Sequence, residues 1–316
     1  MTKSQASFRL EKHAPDSPFK QQAKNYSKSG QYWMHLMRTE DQELIDTLNI
    51  ADNEKEALMA EVTRPSFWQV TDREFILFLR AVNLNPNSEP EDMVSLRILC
   101  DGERLISVMN RPVQAAREIK ILIENQYAHW SIVDVFLELI RNVLTKIEKH
   151  VKHLMEKVDQ LEELEDQDSE IPFHEVHNLR RAVSRLSRFT VPQLESIKKL
   201  SASECNWLKE NHRQEIREFL NKMNYLNEEI MLIRERSEIL NNELSNNISN
   251  RANKNLYLIS IISVIFLPLS FITGLLGINV GGMPGASSED GFLIVSIIIV
   301  VMGIVQGILM KMFRWF

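Results

Sequence analysis

The hydrophobic pattern along this chain changes its period from stretch to stretch, and each change predicts a different kind of element. Short apolar runs come first: YWMHLM, SFWQV and REFILFLRAV have strand length and are rich in aromatic and β-branched residues. Between the first two, Glu40 to Ala60 reads as a helical stretch. MVSLRILCDGERLISVMN holds two further apolar runs joined by Asp101-Gly102, a dipeptide that favours a type I′ turn, and it predicts a β-hairpin. The first 30 residues are polar and without period, so ordered structure is expected to begin near Tyr32.

From Ser131 the pattern becomes helical and densely charged. One helix is expected to run to about Asp166 and a second from about Pro172 to Leu200. The connecting acids, Glu162, Glu163, Glu165, Asp166, Asp168 and Glu170, read as a solvated turn between antiparallel helices. A third helix is expected from about Ser203. Its apolar residues Ile216, Phe219, Met223, Leu226, Ile230, Ile233, Leu240 and Leu244 recur by threes and fours, a spacing that Ser237 interrupts. No Pro or Gly lies between Pro192 and Pro268, so this helix is expected to continue without a break.

The chain then turns apolar. Leu256 to Leu276 and Phe292 to Met310 contain no Asp, Glu, Lys, Arg or His, and each has the roughly 20 residues that a helix needs to cross a bilayer. Arg251 and Lys254 precede the first run, Lys311 and Arg314 follow the second, and the loop between them carries only Glu289 and Asp290. By the positive-inside rule both termini face the cytoplasm and the loop faces outward. The opening residues lack the apolar core of a signal peptide, so the hairpin itself is expected to direct the chain to the membrane.

Small and polar residues on the first membrane run and its approach form a stripe. Asn253, Ser260, Ser263, Ser270, Gly274 and Gly277 step by threes, fours and sevens with Leu256 and Leu267 among them, so all fall on one helix face. Two readings stand. Small residues let helices approach closely, and hydroxyls on one face line a wet path. Gly303 and Gly307 in the second run form a GxxxG of the helix-contact kind.

Charge and composition narrow the choice. The chain has 316 residues and a net charge of −6, with no dense basic patch, which argues against nucleic acid as a partner. Its two cysteines, Cys100 and Cys205, make no CxxC pair and read as buried thiols in a reducing compartment. The absence of a phosphate loop, a nucleophile elbow and a metal-hydrolase helix motif argues against an enzyme. No cofactor is called for. His150 and His153, and His174 and His177, are each three apart on expected helices. Each pair is either a half-site for a regulatory metal, completed by Glu170 or Glu175, or a set of ordinary exposed polar positions.

Gly277, Ile278 and Asn279 close the first membrane run and are followed by Met283 and Pro284. This arrangement resembles the signature of the CorA family of divalent metal transporters, and the likeness covers nearly the whole chain. VNLNPNSEPEDMVSLRIL further resembles the zinc-transporting ZntB branch. The resemblance implies a funnel-shaped homopentamer with an α+β cytoplasmic domain, a long stalk helix and two C-terminal transmembrane helices. It sits in the cell inner membrane among lipid. It implies a pore lined by Asn253, Leu256, Ser260, Ser263, Leu267, Ser270 and Gly274, with Asn279 in a ring at the outer entrance presenting amide oxygens to a hydrated dication. Magnesium-type members carry Met where Ile278 stands, which weighs against magnesium as cargo, and Gly285 replaces a frequent Glu. Glu289 and Asp290 then supply the attracting field or are simply solvated.

The expected segments are an α/β domain over 1–130, charged antiparallel helices over 131–202 and a stalk over 203–255. Membrane helices follow over 256–279 and 292–310, with a loop over 280–291 and a tail over 311–316. Zn2+ is the leading cargo. A carrier of Mg2+, Co2+, Ni2+ or Cd2+ and a membrane-tethered sensor without transport are the alternatives.

Overall fold

The computed structural model describes residues 8–11, 31–125, 130–167, 171–278 and 290–312. The chain divides into two compact units, residues 1–241 and 242–316.

The first unit is built on a six-stranded sheet of order β1-β2-β6-β5-β4-β3. Its strands are β1 Phe8–Glu11, β2 Tyr32–Met37, β3 Ser66–Gln69, β4 Phe75–Ala81, β5 Val94–Cys100 and β6 Arg104–Met109. All neighbours are antiparallel except β2 and β6, which run parallel with Trp33 opposite Leu105 and His35 opposite Ser107. The expected strands are present. Ordered structure starts earlier than Tyr32, however, because Phe8–Glu11 pairs with β2. The backbone ladder of an edge strand supplied what that polar segment lacks in apolar period.

One face of the sheet packs on two short helices, α1 Gln42–Asp46 and α2 Asp52–Met59. Met34, Leu36, Ile76, Phe78, Leu99, Ile106 and Val108 meet Ile45, Leu48 and Leu58 there. The single helix expected over Glu40 to Ala60 is thus broken at residues 47–51. Thr47 turns its hydroxyl back to the Leu44 carbonyl, and the Glu54 carboxylate accepts from the Ala51 amide to start a new helix. The far end of α2 is closed by arginines: Arg38 donates to the Met59 carbonyl and Arg97 to the Ala60 carbonyl. Arg97 is fully buried, and burial beside Arg38 and Arg80 lowers its pKa to about 10.

The other face is covered by long helices. A segment the pattern had not marked forms α3 Gln114–Asn125; α4 Ile132–Asp166 and α5 Phe173–Ser201 follow close to their expected limits. Ser131 caps α4 by accepting from the Asp134 amide while the Asp134 carboxylate accepts from the Ser131 amide. Helix α4 packs on β2, β4 and β6, α5 packs on β3 and β4, and α3 packs on α4. Phe75 and Phe136 join strand to helix with ring centroids 5.3 Å apart. Buried in this layer, Ser107 receives the Trp33 indole N–H and meets the His35 ring. Burial lowers the His35 pKa to about 3, so the ring is neutral.

Helix α6 spans Glu210–Leu276 and α7 spans Gly291–Met312. Helix α6 begins at Glu210 rather than Ser203 because the connector over 202–209 is held by the sheet. The Glu204 amide donates to the Gln69 side chain, the Asn206 amide to the Asp72 carbonyl and the Trp207 indole to the Arg73 carbonyl. Arg213 clamps the same connector through the Ser203 and Cys205 carbonyls. Trp207 stacks on Phe75 and lies over Gly102, in the β5–β6 turn. That turn is displaced by one residue from the expected one. Gly102 and Glu103 are its central pair, and of the two only Gly102 has positive φ, at +84°, which is the II′ pattern. Asp101 fixes it by accepting from the amides of Glu103 and Arg104.

Two predictions follow from this end of the sheet. A Cβ on Gly102 would lie 2.6 Å from the Trp207 ring and at an unfavourable φ. Gly102→Ala is therefore expected to cost about 3 kcal/mol, read as a lower thermal midpoint with a changed near-ultraviolet tryptophan signal. Beside it, Glu74 faces Arg104, Asp101 and Glu54, and burial raises its carboxyl pKa to about 7. The folded state holds this proton more tightly than the unfolded chain, so the associated stability is present below about pH 4.5 and is lost as pH rises through about 7. Glu74→Gln is expected to flatten that slope, by on the order of 2 kcal/mol, in unfolding measured across this range.

Candidate functional site

The second unit contains the part of α6 after Asn241 and all of α7. Both helices are long and apolar enough to cross a membrane. Their covered positions recur along one side: Ile261, Ile265, Pro268, Leu269 and Ile272 on α6, and Gly291, Val295, Ser296, Ile299, Met302, Gly303, Gln306 and Met310 on α7. Each helix thus hides one side and leaves the other open.

The stripe lies on the open side of α6. Asn253, Leu256, Ser260, Ser263, Leu267, Ser270 and Gly274 are all exposed, with Leu267 as high as 70%. At about 100° per residue the centre of the stripe is roughly 150° from the covered line through Ile261 and Ile265. The hydroxyls are oriented by the helix itself. Ser260 donates to the Leu256 carbonyl and Ser263 to the Ile259 carbonyl, both at 2.9 Å. Their protons are thereby committed inward, and the oxygen lone pairs are left as acceptors on the outer surface. A row of acceptors without protons to offer suits a hydrated cation, whose water shell presents hydrogens. A Cβ built on Gly274, Gly303 or Gly307 meets nothing within 4 Å, so the chain does not itself fill any of these gaps.

Helix α6 terminates at Leu276, where the Gly277 amide donates to the Thr273 carbonyl at 2.9 Å and the Gly274 carbonyl at 3.2 Å. The negative end of the helix dipole therefore points at the residues that follow. Ile278 is exposed and is the last described residue there. Asn279 and Glu289 lie outside the described residues; Asp290 is exposed at the start of α7.

The four histidines do not converge. His150 is half-buried and its ring meets the Glu91 carboxylate at 2.9 Å, which holds that carboxyl below its usual range against the opposing effect of burial. His153 is exposed on the same face, with ring centroids 6.5 Å apart. His174 is exposed beside Glu175, and His177 stacks on Phe173. Among the described residues no three His, Cys, Asp or Glu side chains are placed to hold a metal; Glu170 is not among them. Glu91 was invisible as a partner because it lies 59 residues from His150 in the chain. The acids at the end of α4 also do more than meet solvent: Glu162 and Asp159 grip Arg236 of α6. Asp168 and Glu170 lie outside the described residues, as does the Asp166 side chain.

A family profile described as "CorA-like Mg2+ transporter protein" matches residues 28–314. The chain belongs to that family. Among its relatives, the divalent cation transporter CmaX of Pseudomonas aeruginosa is 33% identical over 90% of this chain and 87% of its own length. The zinc transport protein ZntB of Vibrio parahaemolyticus is 32% identical over 80% of this chain and 79% of its own length. The solved structure of full-length CmaX matches with a TM-score of 0.77, covering 90% of this chain and 89% of that one. The α+β unit, long helix and paired apolar helices described above are therefore the architecture of a family of transporters, not of enzymes.

Proposed function

We propose that this protein carries divalent cations, zinc foremost, across the inner membrane through a central pore formed by five copies. The observation that carries the reading is the open face of α6, where acceptor oxygens and glycines lead to Gly277, Ile278 and then Asn279. Two membrane helices cannot enclose a water path, so the face has to be completed by other copies of the chain. Five Asn279 amides at the entrance accept hydrogen bonds from the water shell without forcing full dehydration of the metal. The arrangement of Arg251, Lys254 and Lys311 around the spans supports a topology with both termini in the cytoplasm.

Zinc is favoured over magnesium by the relatives named as zinc transport proteins and by Ile278 at the middle of the signature. No carboxylate or histidine lies within either span to relay a proton, so the ion's own gradient is the simplest driving force. His150 and His153 gather no third ligand among the described residues, so a zinc site there would need a further donor.

Zinc entry into proteoliposomes with a trapped zinc-sensitive dye is expected for the wild type and to fall by about tenfold or more, ~1.4 kcal/mol, in Asn279→Ala. Magnesium flux without zinc flux would reassign the cargo, and no flux of either ion would leave a tethered sensor. Cysteine scanning tests the wall. The native thiols are buried, and burial pushes both up, so they stay silent toward exposed-thiol reagents. Cysteines at Ser263 and Ser270 are expected to react with a small charged thiol reagent and block flux, whereas cysteines at Ile261 and Ile265 stay unmodified.

A further inference from the structure

Outside the pore reading, one cleft of the first unit concentrates positive charge in a chain whose net charge is −6. It has a volume of about 450 Å³ and lies between α5 and the part of α6 near Arg234. Four guanidinium groups line it, from Arg180, Arg181, Arg185 and Arg234, against a single carboxylate, Glu238. The ion pairs here are weak. Arg180 reaches Glu238 at 3.8 Å and Arg185 reaches Asp92 at 3.2 Å, all on partly exposed side chains, where water screens such pairs. Among the described residues neither Arg181 nor Arg234 has an ion-pair partner. That leaves the forked donors of Arg181 and Arg234, which match phosphate oxygens two at a time.

A second feature borders the cleft. His177 lines it, one turn before Arg181, and Phe173 stacks on His177 with ring centroids 6.4 Å apart and planes within 8°. Phe173 is 55% exposed. An open ring face thus lies about 12 Å along the helix from Arg181, at 1.5 Å rise per residue. A ligand that uses both ends carries multiple negative charge at one end and a flat ring at the other, within the size range of small-molecule sites.

We propose that this cleft binds a nucleotide, with its phosphates on Arg181 and Arg234 and its base against Phe173. The arginines were legible only as a solvated helical face, because LRRAVSRLSRF does not show that Arg234 of α6 comes to join them.

The test is calorimetric titration of the full-length protein in nanodiscs, in buffer without divalent metal so that no transport step contributes. ATP is the probe and inorganic tripolyphosphate the comparison. ATP is expected to bind saturably, and the double variant Arg181→Ala/Arg234→Ala to weaken it by about tenfold or more. Phe173→Ala is expected to weaken ATP by about fivefold while leaving tripolyphosphate unchanged. The exposed Arg117→Ala serves as the charge control and is expected to bind ATP as the wild type does. Absence of saturable ATP binding, or equal ATP affinity in the double variant with an unchanged thermal midpoint, overturns the proposal. Tripolyphosphate binding as tightly as ATP, with Phe173→Ala silent toward both, overturns it as well, because the cleft would then take phosphate without a base.

Discussion

A bilayer offers no hydrogen-bond partner to the backbone, and that constraint governs the chain from Leu256 onward. Only helices satisfy it with two spans, and helices α6 and α7 do so by bonding their amides along the helix, with Pro268 the one interior position on α6 that has none to give. What remains free to vary is the side-chain surface. On α6 that surface is divided: Ile261, Ile265 and Ile272 are covered, while the opposite side carries hydroxyls and glycine. Polar side chains facing lipid would be costly. A face of this kind in a membrane helix calls for cover from something other than hydrocarbon. Ser260 and Ser263 lessen the burden by spending their protons on the helix's own carbonyls, which leaves a surface that accepts hydrogen bonds and donates few.

The soluble unit solves a different problem, the anchoring of a long helix by its first turn. Helix α6 has no strand or loop of its own to fix its start, and the connector before it is secured instead by Gln69, Asp72 and Arg73, all from the β3–β4 region. Trp207 presses that connector onto Gly102, so a helix start, a hairpin turn and a strand end meet at one point. The Glu74 carboxyl, with its raised pKa, lies next in sequence to the carbonyl that Trp207 uses. Farther along α6, Arg236 is held by Glu162 and Asp159 of α4. Apolar packing of Ile216, Phe219, Met223 and Ile230 supplies the attraction, and these polar contacts fix the register.

Much of this was legible in residue pattern, and the reasons for the rest are specific. Helices α4 and α5 were bounded to within a residue or two because Ser131 and Pro172 are strong local start signals and the period that follows is long. The start of α6 was misplaced by seven residues because residues 203–209 have helical composition, and only tertiary bonds to the β3–β4 turn hold them otherwise. The helix over 40–60 was overread for the opposite reason, since Thr47 and Glu54 end and restart it with side-chain hydrogen bonds that leave no periodic trace. The stripe on α6 could be read in full, as a helix face is a local property. The Glu91 partner of His150 and the arrival of Arg234 beside Arg181 could not, because each joins residues dozens of positions apart.

The parallel pairing of β2 with β6 has a consequence for the order of events during synthesis. Trp33 and Ser107 are separated by 74 residues, and Trp207 closes on Arg73 across 134. An antiparallel meander from β3 through β6 can form as it emerges, whereas β2, which β1 covers on one edge only, has to wait for its second neighbour until β6 exists to receive it. The connector that ends at α6 joins last. Chain growth therefore completes the sheet before it delivers the membrane spans, and the newborn protein holds one open strand edge, on Tyr32–Met37, until β6 has been made.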